Sequence, residues 1–266
     1  MKKKVKTRKK ITLQSVIMYI LLILTALMFA TPMLFTLLSS IKTKVEIFAK
    51  PFSWPEVPQW SNYVEAWTSA NMSHYFLNSL IQAGATVIVL AIVSTMAAYV
   101  LSRFDFIANK FIQTSFVSAM GVPAIMVVLP LFSIISGMGI LNNVAAGRTV
   151  LIILYVGINV PYTTIFLLTF FSNISRTYEE AAAIDGCPPM RTFWKIMFPM
   201  AQSGIVTVTI FNFINIWNEY FLSLIFASSD KLKPVAPGLY GMINSMKYTG
   251  DWAGMFAAVI IVFLPT

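Results

Sequence analysis

Charge is what this chain has least of: Asp, Glu, Lys and Arg make up 11% of its 266 residues, against roughly 25% in a soluble domain. A water-soluble protein of this length needs far more polar surface, so lipid is the solvent that fits. Cysteine and histidine occur once each. That excludes a disulfide framework within the chain and argues against the usual zinc site and the usual serine or cysteine triad. No glycine is followed by a lysine, so the phosphate-binding G-x-x-x-x-G-K loop is missing, and with it ATP hydrolysis by that chemistry. There is also no low-complexity tract and no obvious internal repeat.

What is abundant is apolar: 58% of residues are hydrophobic, with 21 Phe and 15 Met. The formal net charge of +9 comes largely from one place, since seven of the 19 basic residues lie within residues 1–10. A basic tail ahead of an apolar run reads as a membrane-topology signal rather than a nucleic-acid arm. Apolar runs recur at 16–38, 79–101, 112–135, 149–171, 203–227 and 253–266. About 20 residues at 1.5 Å each span roughly 30 Å of hydrocarbon, and a helix satisfies its own backbone there. The expected fold is an all-α polytopic membrane protein with about six transmembrane helices. The first run is read as a signal anchor, being longer than the apolar core of a cleaved signal peptide. The sixth covers only about 21 Å, so the last helix is expected to be truncated where the chain stops at Thr266.

Basic residues set the direction. With the N-terminus inside, the inner segments hold the seven of the tail, then Arg103 and Lys110, then Arg176, Arg191 and Lys195. The outer segments hold Lys42, Lys44 and Lys50, then Arg148, then Lys231, Lys233 and Lys247. The inner excess favours a cytoplasmic N-terminus. The chain then divides into a basic cytoplasmic tail, 1–15, and one transmembrane domain, 16–266, whose segment 172–202 between the fourth and fifth spans is cytoplasmic. In the outer segment 39–78, Pro51, Pro55 and Pro58 predict extended chain, and 62–76 predicts a short surface helix carrying Trp67 and Tyr75.

Segment 172–202 carries the most informative pattern. Thr177 and Glu180 fit a capping box, and Ala181, Ala182 and Ala183 favour helix. Gly186 suits the left-handed conformation that ends a helix, Pro188 and Pro189 force a new direction, and a second helix over 190–198 is expected to break at Pro199. Glu180, Ala181 and Ala182, three residues, Gly186, nine residues, then Ile196, Phe198 and Pro199 resemble the EAA loop of binding-protein-dependent ABC importer permeases. Phe198 stands where that pattern has Leu, one large apolar residue for another. Asp185 beside Gly186, Asn62 with Tyr63, Asn78 with Ser79, and the run Trp217, Asn218, Glu219 are similar to the carbohydrate-uptake branch, and the smaller maltose-type permease subunit is the nearest likeness.

That resemblance implies that the loop is a coupling helix docking in a cytoplasmic ATPase. Glu180 would contact the ATPase, Ala181 and Ala182 permit close approach, and Asp185, Gly186, Ile196 and Pro199 complete the loop. It implies a second permease subunit of different sequence, two ABC ATPases carrying the ATP and magnesium, an extracytoplasmic sugar-binding protein, no cofactor in this chain and a place in the prokaryotic plasma membrane.

Inside the fifth span, Asn212, Asn215, Glu219 and Ser223 fall within roughly 80° of arc on a continuous helix. Polar groups within a bilayer face a bundle interior or an aqueous cavity. They are candidates for the translocation path, together with Asn159 near Pro161 in the fourth span, or else for interhelical hydrogen bonds. Trp217 and Tyr220 suit sugar stacking or, more commonly, interfacial anchoring. Pro123, Pro130 and Pro161 are candidate helix breaks. His74 needs no catalytic role, and Cys187 reads as a small filler. A secondary transporter or channel is the alternative, but Glu219 is the one acidic group in the spans and no basic residue accompanies it. A membrane-embedded enzyme would need a paired acid and base, which these residues do not supply.

Overall fold

Apolar stretches free of turn chemistry fold here as continuous helices. The computed structural model describes residues 12–68 and 71–266, and no strand occurs among them. The basic tail falls largely outside the described residues. Among the described residues, three helices are long and apolar enough to cross a membrane: α1 (Leu13–Ser40), α4 (Met72–Arg103) and α7 (Val144–Ser172). Between them lie α2 (Lys44–Ala49), α3 (Ser61–Thr68), α5 (Asn109–Met120) and α6 (Ala124–Gly137). After α7 come α8 (Thr177–Ile184), α9 (Pro189–Thr192), a π turn over Phe193–Met197, α10 (Phe198–Met200), α11 (Gln202–Trp217), α12 (Phe221–Phe226), α13 (Val235–Thr249) and α14 (Trp252–Phe263). The chain forms two compact units, Met1–Ser69 with Ser245–Ile261, and Ala70–Asn244 with Val262–Thr266.

Two expected spans are not straight helices. The run 112–135 is divided into α5 and α6, bent by 95°. Pro123 is responsible: it lacks an N–H, holds Val122 out of helical conformation, and stands as the N-cap of α6 with ψ 128°. Pro130 and Pro161, in contrast, lie inside α6 and α7 without ending them. The run 203–227 is α11 and α12, separated by Asn218, Glu219 and Tyr220. The expected surface helix 62–76 is also corrected. Trp67 belongs to α3, whereas Tyr75 belongs to the first turn of α4.

In the first unit, the segment after α1 is braced by a lysine that turns inward. Lys42 is fully buried, and its ammonium donates to the carbonyls of Lys50 and Pro51 at 2.9 and 2.8 Å. Prolines keep this chain out of helix, so its carbonyls need outside donors, and Lys42 supplies them. A capping box of Thr43 and Glu46 starts α2. Backbone N–H groups of Glu56 and Thr43, with the Thr43 hydroxyl, push the Glu46 carboxyl down to about 2.

In the second unit, one face of α4 grips the segment before α13. His74 Nε2 donates to the Lys231 carbonyl at 3.0 Å, Asn78 to those of Lys231 and Lys233, and Gln82 to that of Leu232. Ser79 Oγ accepts from the N–H of Val235 at 2.9 Å. Positions i, i+4, i+5 and i+8 of a helix share one face, so a single helix wall holds this non-helical segment. His74 is thereby a structural hydrogen-bond donor. Two apolar clusters complete the unit, one around Leu90, Leu151, Tyr155 and Phe226, the other around Tyr99, Leu167, Phe171, Phe193 and Met197.

Candidate functional site

The loop between α7 and α11 is a helical hairpin closed by backbone hydrogen bonds. Helix α8 begins at Thr177 itself, so the expected capping box with Glu180 does not form. Ser175 takes that place, its hydroxyl accepting from the Thr177 N–H at 3.3 Å. At the other end Gly186 has φ +72°. Its N–H donates to the Ala183 carbonyl at 3.0 Å, and that of Cys187 to Ala182 at 2.8 Å. This pair of bonds is the Schellman arrangement, which needs a left-handed residue at the position of Gly186. Pro188 is extended with ψ 152°, and Pro189 opens α9 at a position where no N–H is required.

The second arm departs from expectation. Pro199 does not end a helix at 198; the helical path runs over Pro189–Met200 and turns at Ala201, by 73°, into α11. The Phe198 N–H reaches the Phe193 carbonyl through a π turn, and the Ala201 N–H resumes normal spacing to Met197 at 3.0 Å. Pro199, with no N–H to donate, sits where the pairing changes.

Of the residues singled out from sequence, Glu180, Ala181, Asp185, Gly186 and Pro199 are exposed, Ile196 is half-buried and Ala182 is buried. The side chain that turns inward is Glu179. It accepts from the Tyr99 hydroxyl at 2.7 Å and forms an ion pair with Arg103 Nε at 2.9 Å. Arg103 also donates to the Ile174 carbonyl at 2.8 Å. Sequence reasoning missed this trio; the available signal was an aromatic and a basic residue four apart at the end of a span. A cleft of about 350 Å³ beside it is lined by Arg103, Arg176, Glu179, Glu180, Cys187 and Thr192.

The second cluster joins α7 to the fifth span. Asn212 donates to Thr163 Oγ1 at 2.9 Å, Asn215 to Asn159 Oδ1 at 3.3 Å, and the Tyr155 hydroxyl to Glu219 at 2.9 Å. Tyr155, Asn159 and Thr163 are successive turns of one face, so the three pairs form a ladder between antiparallel helices. Glu219 also accepts the N–H groups of Leu222 and Ser223 at 2.6 and 3.1 Å. Its oxygens thus meet two of the free donors at the start of α12, beside the break in the span. Ser223 lies beyond the break, so the four polar residues do not share one continuous helical face; its hydroxyl donates to the carbonyls of Glu219 and Tyr220.

Trp217 is neither an interfacial anchor nor open to a sugar ring: it is 1% exposed. It lies 5.0 Å from Phe76 and 5.7 Å from Phe213, and donates to the Val262 carbonyl at 2.9 Å. Tyr220 packs on Tyr240 at 5.2 Å. Among the described residues, no three His, Cys, Asp or Glu side chains gather as a metal site.

The described residues thus form a helical, multi-pass arrangement with a closed hairpin between two spans joined by a ladder of polar pairs. Residues 91–266 match the family described as the inner membrane component of binding-protein-dependent transport systems, and the chain belongs to that family. It is 35% identical to the diacetylchitobiose uptake system permease protein NgcG of Streptomyces coelicolor, over 94% of this chain and 81% of that one. It is 29% identical to the sulfoquinovosyl glycerol transport system permease protein SmoH of Agrobacterium fabrum, over 88% and 80%. A crystal structure of a bacterial ABC transporter that imports the acidic polysaccharide alginate contains a similar chain. The TM-score is 0.85 at 20% identity, covering 98% of this chain and 95% of that one.

Proposed function

We propose that this chain is one of two permease subunits of an ATP-driven sugar importer. The basic tail 1–15 is cytoplasmic, and 16–266 forms one transmembrane permease domain with segment 172–202 facing the cytoplasm. A solute-binding protein delivers a sugar or oligosaccharide from outside, and a second permease completes the path. Two ATPase subunits hold ATP and magnesium and receive the hairpin, with Glu180, Ala181, Ala182, Asp185, Gly186, Ile196 and Pro199 forming the docking loop. Closure of the ATPases draws the two permeases together at their cytoplasmic ends and exchanges an inward-open cavity for an outward-open one. Asn159, Asn212, Asn215, Glu219 and Ser223 line or support that cavity; exposed Asn215 is the rung best placed to meet solute.

One observation carries this reading. The Schellman-closed hairpin presents Glu180, Ala181 and Asp185 on an exposed face, in a chain of a family whose transport depends on partners. The carbohydrate cargo is supported by the sugar-uptake systems to which NgcG and SmoH belong.

The test is reconstitution with the partner permease, ATPases and binding protein in liposomes. Sugar uptake is expected to require ATP. Gly186→Pro or Glu180→Lys is expected to lower ATPase co-purification and uptake about tenfold. Uptake that persists without ATP and follows an ion gradient would overturn the importer reading in favour of a secondary transporter.

A further inference from the structure

We propose that Glu179 is the positioning residue that fastens the docking hairpin to the second long helix, so that α8 and the end of α4 move as one body. This rests on the reading of segment 172–202 as the ATPase-docking loop and adds the route by which its motion enters the membrane.

The geometry has three parts. Tyr99 and Arg103 lie one turn apart at the end of α4 and so project from the same face. Both reach one carboxylate, at 2.7 and 2.9 Å, and the Arg103 and Glu179 side chains are only 6% and 19% exposed. Arg103 holds the chain ahead of α8 as well, through the Ile174 carbonyl. A carboxylate held by the Tyr99 hydrogen bond on one oxygen and by the Arg103 ion pair on the other, in a partly dry site, resists both rotation and withdrawal.

The other arm of the hairpin joins the same point. The Tyr99 ring lies 5.0 Å from Phe193 and 5.7 Å from Phe171. Phe193 and Met197, 3% and 0% exposed, belong to the same apolar cluster as Tyr99. Load on α8 therefore enters α4 through Glu179, and load on the arm over Pro189–Met200 enters through Phe193. Both meet at Tyr99. Glu180, one residue further on, is exposed and free to face a partner, so consecutive acids divide the labour: one turned inward to hold, one turned outward to dock.

A holding role predicts loss of coupling rather than loss of assembly. In the full reconstituted complex, Glu179→Gln is expected to keep the ATPase bound and ATP turnover running, while sugar taken up per ATP hydrolysed falls about fivefold. The exchange Glu179→Arg with Arg103→Glu is expected to restore at least half of the wild-type ratio, since the pair is re-formed in reverse. A spin-label pair at Cys187 and Ser102→Cys is expected to keep a fixed distance through the ATP cycle and to broaden with Glu179→Gln. An unchanged uptake-to-ATP ratio in Glu179→Gln overturns the proposal, as does a fall in uptake that merely follows loss of bound ATPase. Should the Glu179→Gln chain fail to fold, Tyr99→Phe, which removes only the hydroxyl donor, decides by the same ratio. If wild-type uptake itself needs no ATP, the docking-loop reading fails instead, a result the wild-type control separates from the variants.

Discussion

Tyr155 and Glu219 set the energetic scale for single side chains in this protein. The phenol is 2% exposed, and the carboxylate accepts from it and from two backbone N–H groups. Tyr155→Phe keeps the packed ring and removes one bond, so it is expected to cost about 0.6–2 kcal/mol, the range for interhelical hydrogen bonds in membranes. Glu219→Ala strands three donors and is expected to cost more, roughly 3 kcal/mol. Unfolding of the detergent-solubilised chain measures both, and a double mutant no worse than Glu219→Ala alone identifies the bond as the source. Additive costs would mean that the two residues act separately. Asn212, Asn215 and Glu219 were legible as a polar stripe because ionisable and amide groups are rare in such a run. Their partners were not: Tyr155 and Thr163 look like ordinary members of an apolar helix, and no local pattern records which span lies opposite. The buried Lys42 was invisible for the same reason, its acceptors being backbone carbonyls of residues 50 and 51.

At the scale of elements, helices were readable from composition, while their interruptions depended on whether a breaker found compensation. Pro123 ends the helical path because it has no N–H to donate and stands extended, with ψ 128°, directly after the turn at Gly121 and Val122. Pro199 does not, because the π turn before it absorbs the missing donor. Two glycines show a similar division. Gly186 sits at φ +72° with nothing within 4 Å of a Cβ built there, so its requirement is conformational. Gly204 has no such backbone demand, but a Cβ there would meet the Phe170 ring at 2.5 Å, so its requirement is space between α11 and α7. Gly204→Val is expected to destabilise the helix pair by about 1–3 kcal/mol through overpacking, with hairpin docking intact. Gly186→Ala is expected to cost about 1–2 kcal/mol locally, from the left-handed backbone alone, and to weaken ATPase co-purification. Thermal unfolding beside a pull-down separates them; the opposite pattern would show that the two roles are assigned wrongly.

For the molecule as a whole, direction across the membrane decides whether the hairpin can act as a lever at all. Two of the basic residues in the charge count that favours a cytoplasmic N-terminus are engaged within the protein, Lys42 by backbone carbonyls and Arg103 by Glu179. Leaving out one from each side keeps the inner excess on which that expectation rests. The chain supplies its own probe: Cys187 is its sole cysteine, half-buried beside the turn of the hairpin. A membrane-impermeant maleimide is expected to label Cys187 in inside-out vesicles and to spare it in right-side-out ones. Because its N–H closes the helix through the Ala182 carbonyl, the thiol lies beside Asp185 and Gly186 of the proposed docking loop. Added ATPase subunits are therefore expected to slow the labelling, and a mild rise in salt to restore it if Glu180 makes a screened contact. Labelling from the outer side would place the hairpin away from any cytoplasmic engine and remove the physical basis for the lever, since no force could reach Glu179 or the helix it grips.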